Sequence, residues 1–459
     1  LAKVLVTTHW TRGDVLPFFR LSVALRERGH EVVFFSHGVF EPLAAEAGLP
    51  FVAWDRPDEY LQLLKDMSME ADPLLKPDDF LAYTRKYQGT DKVMLEIEAI
   101  SRHCTPGETV LVARHRSSIS TYLAAERLGV PIVPAFLAPS YIAHLPAQEE
   151  LFGEMMAQEV NAVRRELGMR PIRSWLDWMS SVKRCIGFWP DWFAEQEPQW
   201  PLTADPVGFP LPHAAELQPL PDEVLAFLAQ GEPPVLITGG TSKLLQPEFY
   251  KVSLAACELL QRRAIVVTEH TELLPDTLPD GVLWQPFVPL ASLYDKVGAV
   301  IHHGGIGTLS NALAQGAPQL ALAADTDRPD NGMRLKATGA GDYLPRKLWE
   351  PSLIAEALRK LTGPEVRARC AQLAQTMQAT DAMDEAARVI AGAIGNPAYA
   401  IQPEAFTLSP EEALAGAQSA AARSGAGADV QQLLKGLPQD KKAALLMKLK
   451  QKALQGGKS

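Results

Sequence analysis

Cysteine is scarce. The 459-residue chain has four, Cys104, Cys185, Cys257 and Cys370. They lie far apart and none forms a Cys-x-x-Cys pair, so neither a disulfide framework nor a zinc cluster is signalled; a reducing cytoplasmic setting is the expectation. Long apolar runs are also missing. Nothing approaches the roughly 18 consecutive apolar residues of a spanning helix, and the first residues lack the basic, apolar and small-residue succession of a signal peptide. Positive charge is in deficit, with 44 Lys and Arg against 54 Asp and Glu and a formal net charge of −10. Nucleic-acid affinity comes mainly from cations that neutralise phosphates. Nucleic acid is therefore not an expected partner, and an anionic ligand needs a dedicated local site.

What is present is ample apolar material, 47% of the residues, enough for two or three cored domains. The run Val4 to Thr8 reads as a strand, followed by Gly13 and Asp14 and then by Val15, Phe18, Leu21 and Leu25 at helical spacing. Pro17 suits a first helical turn and Gly29 the position past its end. Glu31 to Phe35 is the next strand, which completes a βαβ unit and implies a parallel sheet. A strand from Thr109 to Ala113, a helix from Ile119 to Leu128 and a strand from Val130 to Val133 continue the pattern. After a proline-rich linker around Phe209 to Pro221, a second series of strands is expected at Val235 to Thr238, Ala264 to Thr268, Val282 to Trp284, Ala299 to His302 and Gln319 to Ala323. Two doubly wound α/β domains follow, 1–212 and 213–396. Their ligands are expected at the carboxyl ends of the strands and in the cleft between the domains.

Residues 397–459 change character, to Ala, Gly, Ser and Gln and then to a basic amphipathic run from Val430 to Leu454. Positions 411–459 hold eight basic and four acidic residues, so the body carries the acidic excess. A surface appendage, a docking element for a protein partner and a membrane-surface contact are all compatible with this pattern.

The densest chemical signal is the stretch His302, His303, Gly304, Gly305, Ile306, Gly307, Thr308 through Asn311, a strand that runs into a glycine turn and opens a helix. Such a turn presents unpaired N–H groups and the positive end of a helix dipole, which favour a phosphate. Thr308 adds a hydroxyl and His303 a ring donor. A dinucleotide fingerprint is the competing reading, because Gly305 and Gly307 spell half of it and Asp325 follows. Ser310 stands where its third glycine belongs.

Taken in order, these motifs resemble the family 1 nucleotide-sugar glycosyltransferases of two-domain GT-B fold. The similarity is to the bacterial branch that contains the rhamnolipid rhamnosyltransferases and the macrolide and glycopeptide glycosyltransferases. It spans roughly residues 3–395. The opening motif appears as Gly13, Asp14 and Pro17 with Arg28, Gly29 and His30. Phe188 to Phe193, Trp200 with Pro201, and Gly208 to Pro210 resemble the segment before the interdomain linker. Gly240 and Thr241 match the turn after the first donor-domain strand, and His302 to Thr308 match the diphosphate motif. Asp327 to Asn331 match a segment that holds the donor sugar.

The resemblance implies an inverting, metal-independent transfer from a dTDP- or UDP-sugar to a hydroxyl of a small hydrophobic natural product or lipid-like acceptor, with no cofactor. Asp14 would be the catalytic base, although a helix cap is the competing role for it. His303, Gly305, Gly307, Thr308, Gly240 and Thr241 would hold the diphosphate, and Asp327 and Arg328 the sugar. Phe287 and Val288 would meet the nucleobase and Asn311 the ribose; Trp10, Gly13 and His115 would face the acceptor. Asp325, Thr326 and Asp327 spell a metal-binding Asp-x-Asp, discounted because they follow a donor-domain strand. Arg114, His115 and Arg116 form a positive cluster that would attract an acidic acceptor or pair with surplus carboxylates. The tail, 411–459, suggests an assembly-line protein partner. A nucleotide-sugar epimerase of the same architecture and a non-catalytic auxiliary protein are the alternatives.

Overall fold

The computed structural model describes residues 1–66, 77–115, 118–212, 216–240, 247–324, 326–409 and 412, the side chains of 77–81 excepted. The expectations for Thr241, Asp325, Arg116 and almost all of the 411–459 tail fall outside those residues.

Two all-parallel sheets organise the chain. The first is built from β1 (Lys3–Thr7), β2 (Glu31–Ser36), β3 (Phe51–Ala53), β4 (Thr109–Arg114), β5 (Ile132–Phe136), β6 (Arg184–Gly187) and β7 (Thr203–Pro206). The second contains β8 (Val235–Thr238), β9 (Ala264–Val267), β10 (Val282–Gln285), β11 (Ala299–His302), β12 (Gln319–Ala323) and β13 (Gly341–Pro345). Their orders are β3-β2-β1-β4-β5-β6-β7 and β10-β9-β8-β11-β12-β13. This is the expected pair of Rossmann-like α/β units. The central strands are apolar on both faces, as Val4, Leu5 and Val6 beside Val110, Leu111 and Val112 illustrate. Helices cover both sides of a parallel sheet, so such strands read as continuous apolar runs.

In each sheet the direction of strand addition reverses once, between β1 and β4 and between β8 and β11. Loops leave such a switch point on opposite faces and open a crevice at the carboxyl ends. Val4 pairs with Val110 and Thr7 with Ala113, which brings the loop after β1 beside the end of β4. Ile301 pairs with Ile237 and His302 with Thr238, which brings Gly240 beside the glycine turn after β11.

The first helix runs Arg12–Glu27, three residues ahead of the expected start. Asp14 is therefore in its first turn, and Pro17 lies in the second turn. The strand expected at Val130 to Val133 begins two residues later, because Gly129 ends the preceding helix in a left-handed conformation, φ 64°, and Val130 and Pro131 complete the turn. Helix Ala382–Ala391 crosses back to the first unit, where Met383, Ala386 and Ile390 join its core. Tyr399 and Phe406 continue that packing, and Ile172 bridges Thr407 in antiparallel fashion. The chain thus returns to its first unit before residues 397–409 are finished, so packing does not follow the expected 396/397 boundary. Among the described residues no helix is long and apolar enough to cross a membrane.

Candidate active site

Asp14 sits at the first switch point with both carboxylate oxygens engaged. Oδ1 accepts from Nε and Nη2 of Arg114 at 3.0 and 2.8 Å. Oδ2 accepts from the backbone N–H and hydroxyl of Thr11, at 3.1 and 2.7 Å. The two roles weighed for Asp14 share one side chain: it braces the start of the helix while remaining partly open to solvent, at 18%. Arg114 comes from the end of β4 and its guanidinium lies 5.9 Å from the ring centre of Tyr141. Its positive charge is committed to Asp14, which favours the pairing reading of the Arg114, His115 and Arg116 cluster over attraction of an acidic acceptor.

His115 does not face an acceptor. It is buried, stacked on Phe136 at 4.1 Å and close to the carbonyl of Met179. It continues β4 past Arg114, and alternation of side chains turns it to the opposite face, into the core. Gly13 is exposed on the first helical turn.

Trp10 has φ 82°, a left-handed conformation that suits glycine and strains a bulky residue. Two contacts hold it. Its N–H donates to Nε2 of His37 at 2.8 Å, and His37 Nδ1 donates to Asp55 at 2.7 Å; the indole stacks on Tyr83 at 5.9 Å. Burial pushes the ionisation of His37 down, with Asp55 partly opposing, so the imidazole stays a neutral acceptor for that N–H. His9, next in the chain, pairs with Glu96 at 3.0 Å and stacks on Trp54. Neither histidine stands out in the sequence, because the pairing crosses from one element to another.

At the second switch point the helix Ile306–Ala314 starts at the glycine turn. Its first intrahelical bond is from Leu309 N–H to the Gly305 carbonyl, which leaves the N–H groups of Ile306, Gly307 and Thr308 before it. The glycines differ in purpose. A Cβ on Gly305 would stand 2.3 Å from His303 Nε2, and one on Gly240 2.7 Å from its Cε1. Gly304, at φ 86°, faces Ala323 and the Arg328 carbonyl. On Gly307 a Cβ would meet nothing within 4 Å among the described residues. Three glycines are therefore demanded by the protein's own packing, whereas the fourth is not.

His303 is clamped between the Gly240 and Gly305 backbones. Burial, reinforced by the nearby Arg328 cation, holds its ionisation well below the usual range, so it offers a neutral ring and not a charge. His302 is wholly buried and accepts the Gly304 N–H. Thr308 lies against the hydroxyl of buried Tyr294, so its own hydroxyl is not wholly free for a phosphate. Asn311 folds back to donate to the Gly307 carbonyl at 2.6 Å. Phe287 stands 59% exposed beside buried Val288, the arrangement a stacking platform requires, with the neighbouring side chain anchoring it in the core.

Asp327 and Asn331 open the next helix, Arg328–Ala337. Asn331 donates to the Gly304 carbonyl and to Asp327 Oδ2, at 3.1 and 2.7 Å, which ties this segment to the glycine turn. The other Asp327 oxygen accepts from Thr326 at 3.0 Å and from Tyr141 at 3.1 Å. Tyr141 belongs to the first unit. It escapes sequence reading because a lone tyrosine after a strand carries no pattern; only its place at the carboxyl end of β5 could have pointed to it. Glu197 and Arg334 add a second link between the units at 2.8 Å. Among the described residues no cluster of three or more His, Cys, Asp or Glu is placed to hold a metal.

Comparison with known proteins agrees with the two-unit fold. Residues 256–391 match the model of the erythromycin biosynthesis protein CIII-like C-terminal domain. Glycosyltransferase GtfC of Amycolatopsis orientalis is 28% identical, over 87% of this chain and 99% of its own. The O-mycaminosyltylonolide 6-deoxyallosyltransferase of Streptomyces fradiae is 28% identical over 84% and 96%. Among solved structures, glycosyltransferase VinC in complex with dTDP superposes with a TM-score of 0.61 at 21% identity, covering 86% of this chain and 99% of that one.

Proposed function

We propose that this chain, a GT-B glycosyltransferase related to the macrolide and glycopeptide enzymes, moves a sugar from a dTDP- or UDP-sugar to a hydroxyl of a small hydrophobic natural product by an inverting displacement that needs no metal. One observation carries the reading. A continuous line of contacts runs from Asp14 through Arg114 and the Tyr141 ring to Asp327, joining the crevices of the two sheets.

In the proposed step the acceptor hydroxyl attacks the anomeric carbon as its proton passes to Asp14 Oδ2, from which the Thr11 hydroxyl turns away. Arg114 keeps Oδ1 in place, so the carboxylate stays oriented while its other oxygen takes the proton. Positioned bases of this kind contribute about a hundredfold to ten-thousandfold. The bond to the diphosphate breaks at the same time, and its electron pair remains on the departing phosphate oxygen. The N–H groups of Ile306, Gly307 and Thr308 and the helix dipole face that charge without having to reorganise, the condition under which such donors stabilise developing charge most. Asp327 holds the sugar, and Phe287 provides the face on which the base stacks. VinC's complex with dTDP supports a thymidine donor for a protein of this fold, and the relatives' names support a natural-product acceptor.

A thermal-shift panel of dTDP, UDP and GDP tests the donor half. At a hundred times its dissociation constant a ligand stabilises the folded state by about 2.7 kcal/mol, and dTDP or UDP is expected to raise the midpoint where GDP does not. No shift with any of the three would remove the donor-site assignment.

A further inference from the structure

The carboxyl edge of the first sheet carries a line of polar contacts that passes from strand to strand. Asp55 follows β3, His37 follows β2, the loop from Thr8 to Thr11 follows β1 and Arg114 ends β4, in the order in which those strands lie. Asp55 Oδ1 accepts the Gly38 N–H at 3.0 Å, and its Oδ2 accepts from His37 Nδ1 at 2.7 Å. That second bond fixes the tautomer. With its proton on Nδ1 the ring has a lone pair on Nε2, which accepts the Trp10 N–H at 2.8 Å. Tyr60 lies against the ring at 4.7 Å and the His37 side chain is 4% exposed, so the bond is shielded from water. It holds Trp10 at φ 82°, a conformation that a bulky residue keeps only where its surroundings impose it. Thr11 comes next, and its N–H and hydroxyl are the two donors on Asp14 Oδ2.

We infer that His37 is a positioning residue for the transfer: its neutral ring, oriented by Asp55, imposes the turn at Trp10 that delivers the Thr11 donors to Asp14. The inference rests on the reading of Asp14 as the base. The rest of the loop is held elsewhere, by Trp54 Nε1 on the Thr8 carbonyl at 3.0 Å and by the Thr8 hydroxyl on the Asp14 carbonyl at 3.1 Å. His37 supplies the bond at the turn itself. Geometry at this point matters to rate, because a displacement of about 1 Å in a reacting group can cost about a hundredfold.

His37→Asn and His37→Gln test this in the full chain. The asparagine amide stands near Nδ1 and can still donate to Asp55, but does not reach the Trp10 N–H; the glutamine amide reaches as far as Nε2 and can accept it. Isotopic nitrogen labelling of tryptophan and threonine reports the brace without an acceptor substrate, with the two amides identified through Trp10→Phe and Thr11→Ser. In His37→Asn the Trp10 and Thr11 amide protons are expected to move upfield, as amides that lose a hydrogen bond do, and in His37→Gln to stay near their natural positions. In transfer from dTDP-glucose to any acceptor the natural enzyme uses, kcat is expected to fall about tenfold to a hundredfold in His37→Asn with the donor KM unchanged, and His37→Gln to recover most of that loss. His37→Phe, which keeps a ring against Tyr60, replaces the asparagine variant if that one does not fold. A Thr11 amide that stays in place without the Nε2 acceptor, or a kcat equally low in both variants, would overturn the inference. Full transfer by Asp14→Asn, with the amides responding as expected, would instead overturn the reading of Asp14 as the base.

Discussion

Asp14 braces a helix and, in the proposed reaction, takes a proton. Its bonds to Thr11 brace the first helical turn, and an asparagine oxygen can still accept them, but its NH2 would then face the Arg114 donors in place of Oδ1, and it cannot take a proton. Asp14→Asn is therefore expected to lower the unfolding midpoint through loss of that ion pair and to lower transfer, measured well below that midpoint and to any acceptor the natural enzyme uses, by at least about a hundredfold. Loss of stability with activity retained would make Asp14 a cap alone. Trp10 is the complementary case, a bulky residue at φ 82° where the left-handed region costs L-residues roughly 1–2 kcal/mol. Trp10→Ala keeps the Cβ and loses the stack on Tyr83; Trp10→Gly loses both. The glycine variant should be the more stable of the two by about 1 kcal/mol in urea unfolding, an ordering that the helix and strand propensities of the two residues would reverse.

At the scale of the element, the start of the helix Ile306–Ala314 separates glycines required by packing from one, Gly307, that packing among the described residues does not require. Gly307→Ala meets nothing among the described residues and replaces the poorest non-proline helix former with the best, a gain of up to about 1 kcal/mol. It should raise the unfolding midpoint slightly while weakening dTDP binding, because the added methyl occupies the space before the free N–H groups. Gly305→Ala should do the reverse of the first effect and destabilise, because its Cβ would stand on the His303 ring. Equal behaviour of the two variants would mean that the open space has no ligand. Circular dichroism melts with and without nucleotide make both comparisons.

At the scale of the molecule, buried neutral histidines make stability depend on pH. Burial pushes His302 from 6.5 down to about 4, with Gln319 only partly opposing, and His303 shifts in the same direction. Below pH 6.5 the unfolded chain takes up protons that the folded chain refuses, so stability is complete above that value and declines as the pH falls toward 4. His302 alone accounts for a loss on the order of 3 kcal/mol by the end of that range. Urea midpoints between about pH 7.5 and about pH 4.5 should show the decline, and His302→Gln should lessen it, the remainder belonging to His303 and His37. Carboxylates whose pairing favours their charged form lose stability at more acidic values, so a fall confined to below about pH 4 would assign it to them.

The strands β1, β2, β4, β8 to β12 and the glycine turn are legible because their signal is local: apolar runs bounded by turn residues. β3, β6, β7 and β13 are not. Thr203–Pro206 and Gly341–Pro345 contain polar residues and proline, and the edge positions of these two strands tolerate what a central strand would not. Site residues divide in the same way. Asp14, His303 and Gly305 belong to contiguous stretches whose spacing points to a turn or a helix start, and Asp327 to a contiguous motif that the family resemblance picks out. The commitment of Arg114 to Asp14, the burial of His115, the His37 brace beneath Trp10 and the Tyr141 hydroxyl on Asp327 join positions 18 to 186 residues apart. Local periodicity and composition suffice for two parallel α/β units, an acidic body and a glycine turn that opens a helix. Which side chains complete the site is a property of the folded chain, because sheet order and register set which loops meet at each switch point, and neighbours created by that packing leave no trace in local spacing.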